Sequence, residues 1–337
     1  MTNRTLPGGW ARAARAGLCA AMLLHLPDVA QAAEPAAQYP SHNILVLVPF
    51  PPGGPPDVLN RIIAQQWGEE LGKPVVVENR PGASTAIASQ AVARAAPDGY
   101  TLLATDISIA VVPHILANPG FDPLKDLIPV GPTARSVLTV VINPAVPANT
   151  VQDLVALAKA KPDDIKVGHS GIGTPPHLGA VAFLQATKTR MLLVPYRGAA
   201  LALNDVVAGH MSMLVTAPST SIALTREGKV RMLGVTGGKR ITALPDVPTL
   251  RENGIEMAGV DDGVWFGITA PAATPADIVS KLNATLNKAV QHAAVREKLA
   301  MLDITAGGGT PHEFGQHIAT QLEFWREPMR AAGVKPE

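Results

Sequence analysis

The chain has 337 residues, with 28 basic and 27 acidic side chains and a single cysteine. A nearly neutral charge leaves no basic footprint for nucleic acid or for an anionic membrane surface, and one cysteine excludes an internal disulfide. The length is enough for two lobes with separate cores.

The N-terminus reads as an export signal. Arg4, Arg12 and Arg15 precede an apolar run from Ala16 to Leu26, and Ala30-Gln31-Ala32 follows as a small-residue cleavage site. Residues 1–32 are therefore expected to be a signal peptide cleaved near Ala32, leaving a periplasmic protein. The apolar run is shorter than the roughly 20 residues that span a bilayer. No later stretch reaches that length without a charge or a proline, so no stable membrane insertion is expected. Cys19 falls inside the leader, which makes the mature chain cysteine-free. Removing the leader takes away three arginines and one aspartate, leaving 25 basic against 26 acidic side chains and a formal charge of −1.

After the leader, β-type runs alternate with helical periodicity. Ile44–Val48 is a continuous apolar strand of the kind buried on both faces. A helix is expected over Pro56–Leu71, with Val58, Leu59, Ile62, Ile63 and Trp67 on one stripe and Gly72 as its stop. Strand Pro74–Glu78, helix Ser84–Ala95 and strand Tyr100–Thr105 follow, then an extended stretch over Ile128–Asn143. Strand–helix–strand at this spacing implies parallel pairing with right-handed crossovers. The alternation resumes with helix Val151–Ala160, strand Ile165–His169, helix Pro175–Gln185 and strand Met191–Pro195. Helix Ala199–Ala208, strand Met211–Val215, helix Pro218–Arg226 and strand Val230–Val235 complete that part. One late strand, Val264–Thr269, precedes helices Pro275–Gln291, Val295–Leu302 and Pro311–Arg330. A lone strand with three helices does not make a domain, so it is expected to return to the first lobe. The organisation expected is residues 40–140 plus 262–337 as one lobe and 141–261 as the other. The chain would cross between them near 140 and near 260, giving a two-strand hinge. The fold class is α/β, a two-lobed clamp of parallel-rich sheets flanked by helices.

Three loops stand at strand ends where open α/β sheets place their ligands. Phe50-Pro51-Pro52-Gly53-Gly54-Pro55-Pro56-Asp57 follows the first strand and opens the first helix. Its glycines permit close backbone approach, its prolines suit a helix start, and free amides there favour an anion. Composition alone fits a rigid turn without a ligand equally well. Glu78-Asn79-Arg80-Pro81-Gly82-Ala83-Ser84 repeats the arrangement, and Ser170-Gly171-Ile172-Gly173-Thr174-Pro175 does so in the other lobe.

Catalytic patterns fare poorly. Gly168-His169-Ser170-Gly171 begins like a nucleophile elbow, but Ile172 stands where G-x-S-x-G requires glycine. The nine histidines show no metal-ligand spacing, and Gly237-Gly238-Lys239 lacks the upstream glycine of a phosphate-binding loop. No enzyme, cofactor or metal is expected. A hydrolase built on Ser170 and His177 is the weakest alternative.

The segments VPFPPGGPPD (48–57), VVVENRPGA (75–83), APDGYTLL (96–103) and LAKAKPDDIKVGHSGIGTPPHL (157–178) resemble a known family, with VPYRG (194–198), LPDVPTL (244–250) and WFGITAPAATP (265–275) in the same order. They are similar to the solute receptors of tripartite tricarboxylate transporters, the Bug-type periplasmic binding proteins. The resemblance runs from about Tyr39 to the C-terminus. It implies a monomeric clamp that captures a small organic carboxylate and delivers it to a membrane permease, with no nucleic acid as partner. A sensor subunit for a histidine kinase is the alternative. Main-chain contacts implied for the ligand fall on Phe50, Pro52, Gly53 and Gly54, on Ala83 and Ser84, and on Ser170, Gly173 and Thr174. Thr105, Asp106, His177 and Thr216 complete the candidate set. Arg80 and Arg197 are expected to brace loops. The chain departs from the family's pattern at Ser84-Thr85-Ala86-Ile87, at Asp106 and at Thr216-Ala217-Pro218, which bears on the ligand's identity. Asp106 is either a ligand contact for a donor group or a helix cap turned away from the cleft.

Overall fold

A computed structural model describes residues 37–334 and 336. The signal-peptide expectation and Cys19 lie outside the described residues.

Chain order opens with β1 (Ile44–Val48), α1 (Pro55–Leu71), β2 (Val75–Asn79), α2 (Ala86–Ala93), β3 (Thr101–Asp106) and α3 (Val112–Ile115). Then come β4 (Leu127–Ser136), β5 (Thr139–Ile142), α4 (Val151–Ala160), β6 (Lys166–His169), α5 (Pro175–Thr187) and β7 (Leu192–Pro195). They are followed by α6 (Ala199–Val207), β8 (Met213–Thr216), α7 (Pro218–Arg226) and β9 (Arg231–Val235). The chain ends with β10 (Val264–Pro271), α8 (Ala276–Gln291), α9 (Ala293–Ala300), β11 (Ile304–Ala306) and α10 (Pro311–Ala331).

Two sheets result, ordered β11-β4-β10-β3-β1-β2 and β7-β6-β8-β5-β9. β1 lies between β2 and β3, parallel to both, which explains its unbroken apolar run. In the second sheet β6 is likewise parallel to β7 and β8. The sheets are nonetheless mixed. β10 is antiparallel to β3 and β4, and β5 is antiparallel to β8 and β9. Parallel pairing belongs to the strand–helix–strand units, while strands that enter from the other sheet run against it.

The extended stretch expected over Ile128–Asn143 is divided between the sheets. β4 ends at Ser136 in the first, and β5 starts at Thr139 in the second, with only Val137 and Leu138 between them. The return passes from β9 to β10. At Gly263 (φ +86°) a Cβ would lie 2.6 Å from the Ser136 carbonyl oxygen, so the two crossings touch. The C-terminal part holds a second strand that periodicity missed. β11 is three residues long, too short for an alternation signal, and pairs with β4 at its edge.

Local signals set the helix limits. α1 starts at Pro55-Pro56 and stops at left-handed Gly72, burying Leu59, Ile63 and Trp67 at four-residue spacing. Capping boxes start α4 (Thr150 with Asp153) and α10 (Thr310 with Glu313). The helix expected from Ser84 starts later, because Ala83, Ser84 and Thr85 all have positive φ (43°, 49° and 82°) and form a separate 3-10 turn.

Candidate functional site

The first loop is held by one buried acid. Asp57 accepts hydrogen bonds from Gly53 N (2.8 Å), Arg61 Nε (2.9 Å) and Asn79 Nδ2 (2.9 Å). Burial opposes its ionisation, but these donors prevail and hold the carboxyl below the usual range. Gly53, at φ +80°, thus spends its amide inside the loop, which corrects the expectation of a free donor there. Asn79 also donates to the Phe50 carbonyl (3.0 Å), and Pro52 is exposed. Gly54 caps α1, its carbonyl accepting from Val58 N (3.0 Å).

In the second loop, the Ser84 hydroxyl donates to the carbonyl of Ile172 in the third loop (3.0 Å). A Cβ on Gly173 would lie 2.5 Å from Ile115 Cδ1 and 3.7 Å from Ser84 Cβ. Segments connected to the two sheets therefore meet directly, Ser84 and Ile115 at the end of α3 on one side and Ile172 and Gly173 on the other. Arg80 pairs with Glu78 two residues before it, both side chains partly exposed, and Arg197 is exposed.

The third loop is knitted internally. Ser170 Oγ donates to Thr174 Oγ1 (3.0 Å), which donates to the Gly171 carbonyl (2.6 Å). His177 Nδ1 accepts from Gly173 N (3.1 Å), and its ring lies 4.4 Å from that of His169. Burial pushes His169 down to about 4, and burial together with the neighbouring His169 pushes His177 down to about 3. Both rings are neutral packing elements at pH 7. Gly173's amide, like Gly53's, is already taken. Ser170 bonds to neither histidine, so the pairing a serine nucleophile needs is not formed here.

Asp106 closes β3 and caps a 3-10 turn over Ile107–Ala110, its Oδ1 accepting from Ser108 N (2.8 Å). The cap geometry foreseen as one alternative is present, yet the other oxygen, Oδ2, is buried without a partner. Burial pushes this carboxyl up to about 6, against the opposing hydrogen bond from the Ser108 amide. Thr105 is buried beside it and reaches only the Asp106 carbonyl, at 3.5 Å. Thr85 Oγ1, Ser108 Oγ and Thr216 Oγ1 are also buried and unpartnered. These four orphan atoms belong to segments at or just after the carboxyl ends of β2, β3 and β8, while the other four among the described residues lie on β4 (Thr133), β10 (Trp265, Thr269) and α10 (His317). Thr85 and Ser108 were not among the sequence candidates. Their signal was present, since a polar residue beside a strand-end loop is the ordinary place for a ligand contact.

Comparison with known proteins agrees with this architecture. The chain is 33% identical over 302 residues to Protein BugT of Bordetella pertussis, covering 89% of this chain and 92% of BugT. An R. palustris protein solved with adipate superposes at a TM-score of 0.79 with 31% identity, covering 89% of this chain and all of that one. MatC from Rhodopseudomonas palustris with bound malate gives 0.76 at 28% identity, covering 86% and 99%. Residues 59–334 match the family described as the tripartite tricarboxylate transporter family receptor (TctC), and with that span and these strand-end loops the chain belongs to that family of periplasmic solute-binding receptors.

Proposed function

We propose that this receptor holds a small organic carboxylate between its two sheets and delivers it to the membrane permease of a tripartite transporter. In this reading residues 40–140 with 262–337 and residues 141–261 are the jaws, with Thr139 and Val140 already on the second sheet. The observation that carries it is the set of buried polar atoms left without partners at the strand ends: Thr85 Oγ1, Asp106 Oδ2, Ser108 Oγ and Thr216 Oγ1. A buried hydroxyl or carboxylate is normally satisfied, so a ligand and its waters are the missing partners. Adipate in one similar structure and malate in another support a carboxylate. Gly54, Ala83 and Ser84 supply main-chain contacts in this reading, since the Gly53 and Gly173 amides are already bonded.

Asp106 narrows the choice. Its free oxygen calls for a donor, so a carboxylate bearing a hydroxyl or amino group fits better than a plain diacid. The test is a thermal-shift panel of hydroxy-, amino-, di- and tricarboxylates on protein unfolded and refolded to strip any retained ligand. A true ligand at 100 times its Kd adds about 2.7 kcal/mol of stability. Asp106→Asn should then change the ranking of the acids. No shift with any acid sinks the receptor reading, and an unchanged ranking sinks the role given to Asp106. Delivery is tested separately, as uptake of the identified acid that disappears when the gene is deleted.

A further inference from the structure

The described residues include three tryptophans, and two have indole partners. Trp67 Nε1 donates to Thr285 Oγ1 (3.0 Å) and Trp325 Nε1 to Gln321 Oε1 (3.0 Å). Trp265 is 2% exposed, and its Nε1 has no acceptor. A buried donor left unpaired is rare enough to require an explanation. His317 Nε2 is buried without a partner as well, and its ring stands edge-on to the Trp265 indole at 5.3 Å.

Both side chains line one cavity of about 280 Å³, together with Arg135, Glu313 and Phe314. It lies where β4 and β10 pair under the start of α10, and none of the strand-end loops of the cleft contributes to it. Arg135 is the register partner of Trp265, is exposed, and makes no ion pair among the described residues. Glu313 is on the same wall, but its Oε2 is occupied by Thr310 N (3.1 Å) and Thr310 Oγ1 (2.8 Å). Burial, and then the charge of Arg135, hold His317 below its ordinary pKa. Phe314, Pro132 and Ala134 supply an apolar wall.

We infer that this cavity is a second binding site, taking a short-chain monocarboxylate whose oxygens accept from the Trp265 indole and the Arg135 guanidinium. One cation suits one negative charge. A dicarboxylate or phosphate would bring a second charge towards Glu313, whereas a short hydrocarbon tail matches Phe314 and Pro132.

The test uses the exported protein, isotopically labelled at nitrogen and titrated with sodium butyrate. Each indole N–H gives its own nuclear magnetic resonance signal. The Trp265 signal, identified by its absence in Trp265→Phe, should move and saturate, with matched sodium chloride producing no such change. Arg135→Gln, at an exposed position, should weaken butyrate about tenfold through loss of a charge-assisted hydrogen bond. A Trp265 signal that stays still, drifts without saturating, or responds identically in Arg135→Gln overturns the site and leaves only water in the cavity. If Trp265→Phe fails to fold, hydrogen–deuterium exchange identifies Trp265 as the indole without a protein acceptor among the described residues, and Arg135→Gln carries the test.

Discussion

The hydroxyl of Ser84 donates to the carbonyl of Ile172 at 3.0 Å, joining two loops 88 residues apart and on different sheets. The bond needs no ligand, and in the proposed two-jaw reading it holds the jaws in this arrangement. Ser84→Ala removes it while keeping the Cβ that faces Gly173. A single hydrogen bond of this kind contributes about 1 kcal/mol, or roughly a fivefold change in the closed-to-open ratio. The ligand-free variant is expected to show a larger radius of gyration in small-angle scattering and faster ligand release by stopped flow. A wild-type radius and release rate would remove this role from consideration.

Gly263 makes a second prediction at the paired crossings. A Cβ there would sit 2.6 Å from the Ser136 oxygen on a backbone with φ +86°, so Gly263→Ala combines a backbone clash with left-handed strain. Gly228 has φ +69° with open space around it, so Gly228→Ala carries the conformational cost alone. Denaturant titration should show a loss of about 1 kcal/mol for Gly228→Ala and at least ~2 kcal/mol for Gly263→Ala. Equal losses would mean that the crossings separate easily.

The buried carboxyl of Asp106 gives stability a pH dependence in the ligand-free protein. Its folded pKa of about 6 exceeds the unfolded value near 3.8, so the folded state holds the proton more tightly. That contribution is complete below pH 3.8 and is lost as pH rises to about 6, on the order of 3 kcal/mol in all. Asp106→Asn should therefore gain stability relative to wild type at pH 7–8, with the difference shrinking through that window. Melting curves across pH check it, and a constant difference would contradict the buried, unpaired state.

His169 and His177 act in the opposite sense. Their folded values near 4 and 3 lie below the ordinary 6.5, so the unfolded chain binds more protons in between. Stability from keeping both rings neutral is present above pH 6.5 and is lost as pH falls towards 4, by several kcal/mol. His177→Gln keeps an acceptor for Gly173 N and should flatten this acid limb in melting experiments. An unaltered limb would assign acid sensitivity to other groups.

The sequence by itself determined the alternation of strands and helices, the three glycine-rich loops and their places at strand ends, and the family. Each of these is written locally. An apolar run such as Ile44–Val48, a Pro-Pro start or a Thr-x-x-Asp cap is complete within a few residues. Tertiary structure decided which amides of those loops remain free. Gly53 and Gly173 resemble open anion donors in the sequence, yet Asp57 and His177 have taken them. It also decided that residues 128–142 divide between two sheets at Val137, since a strand's hydrogen bonds go to partners far along the chain and periodicity records only that a face is buried. The same holds for Asp106, which the sequence left between cap and ligand contact. Folding gave one oxygen to Ser108 and buried the other without a donor, and only the packing of remote segments around β3 could make that division.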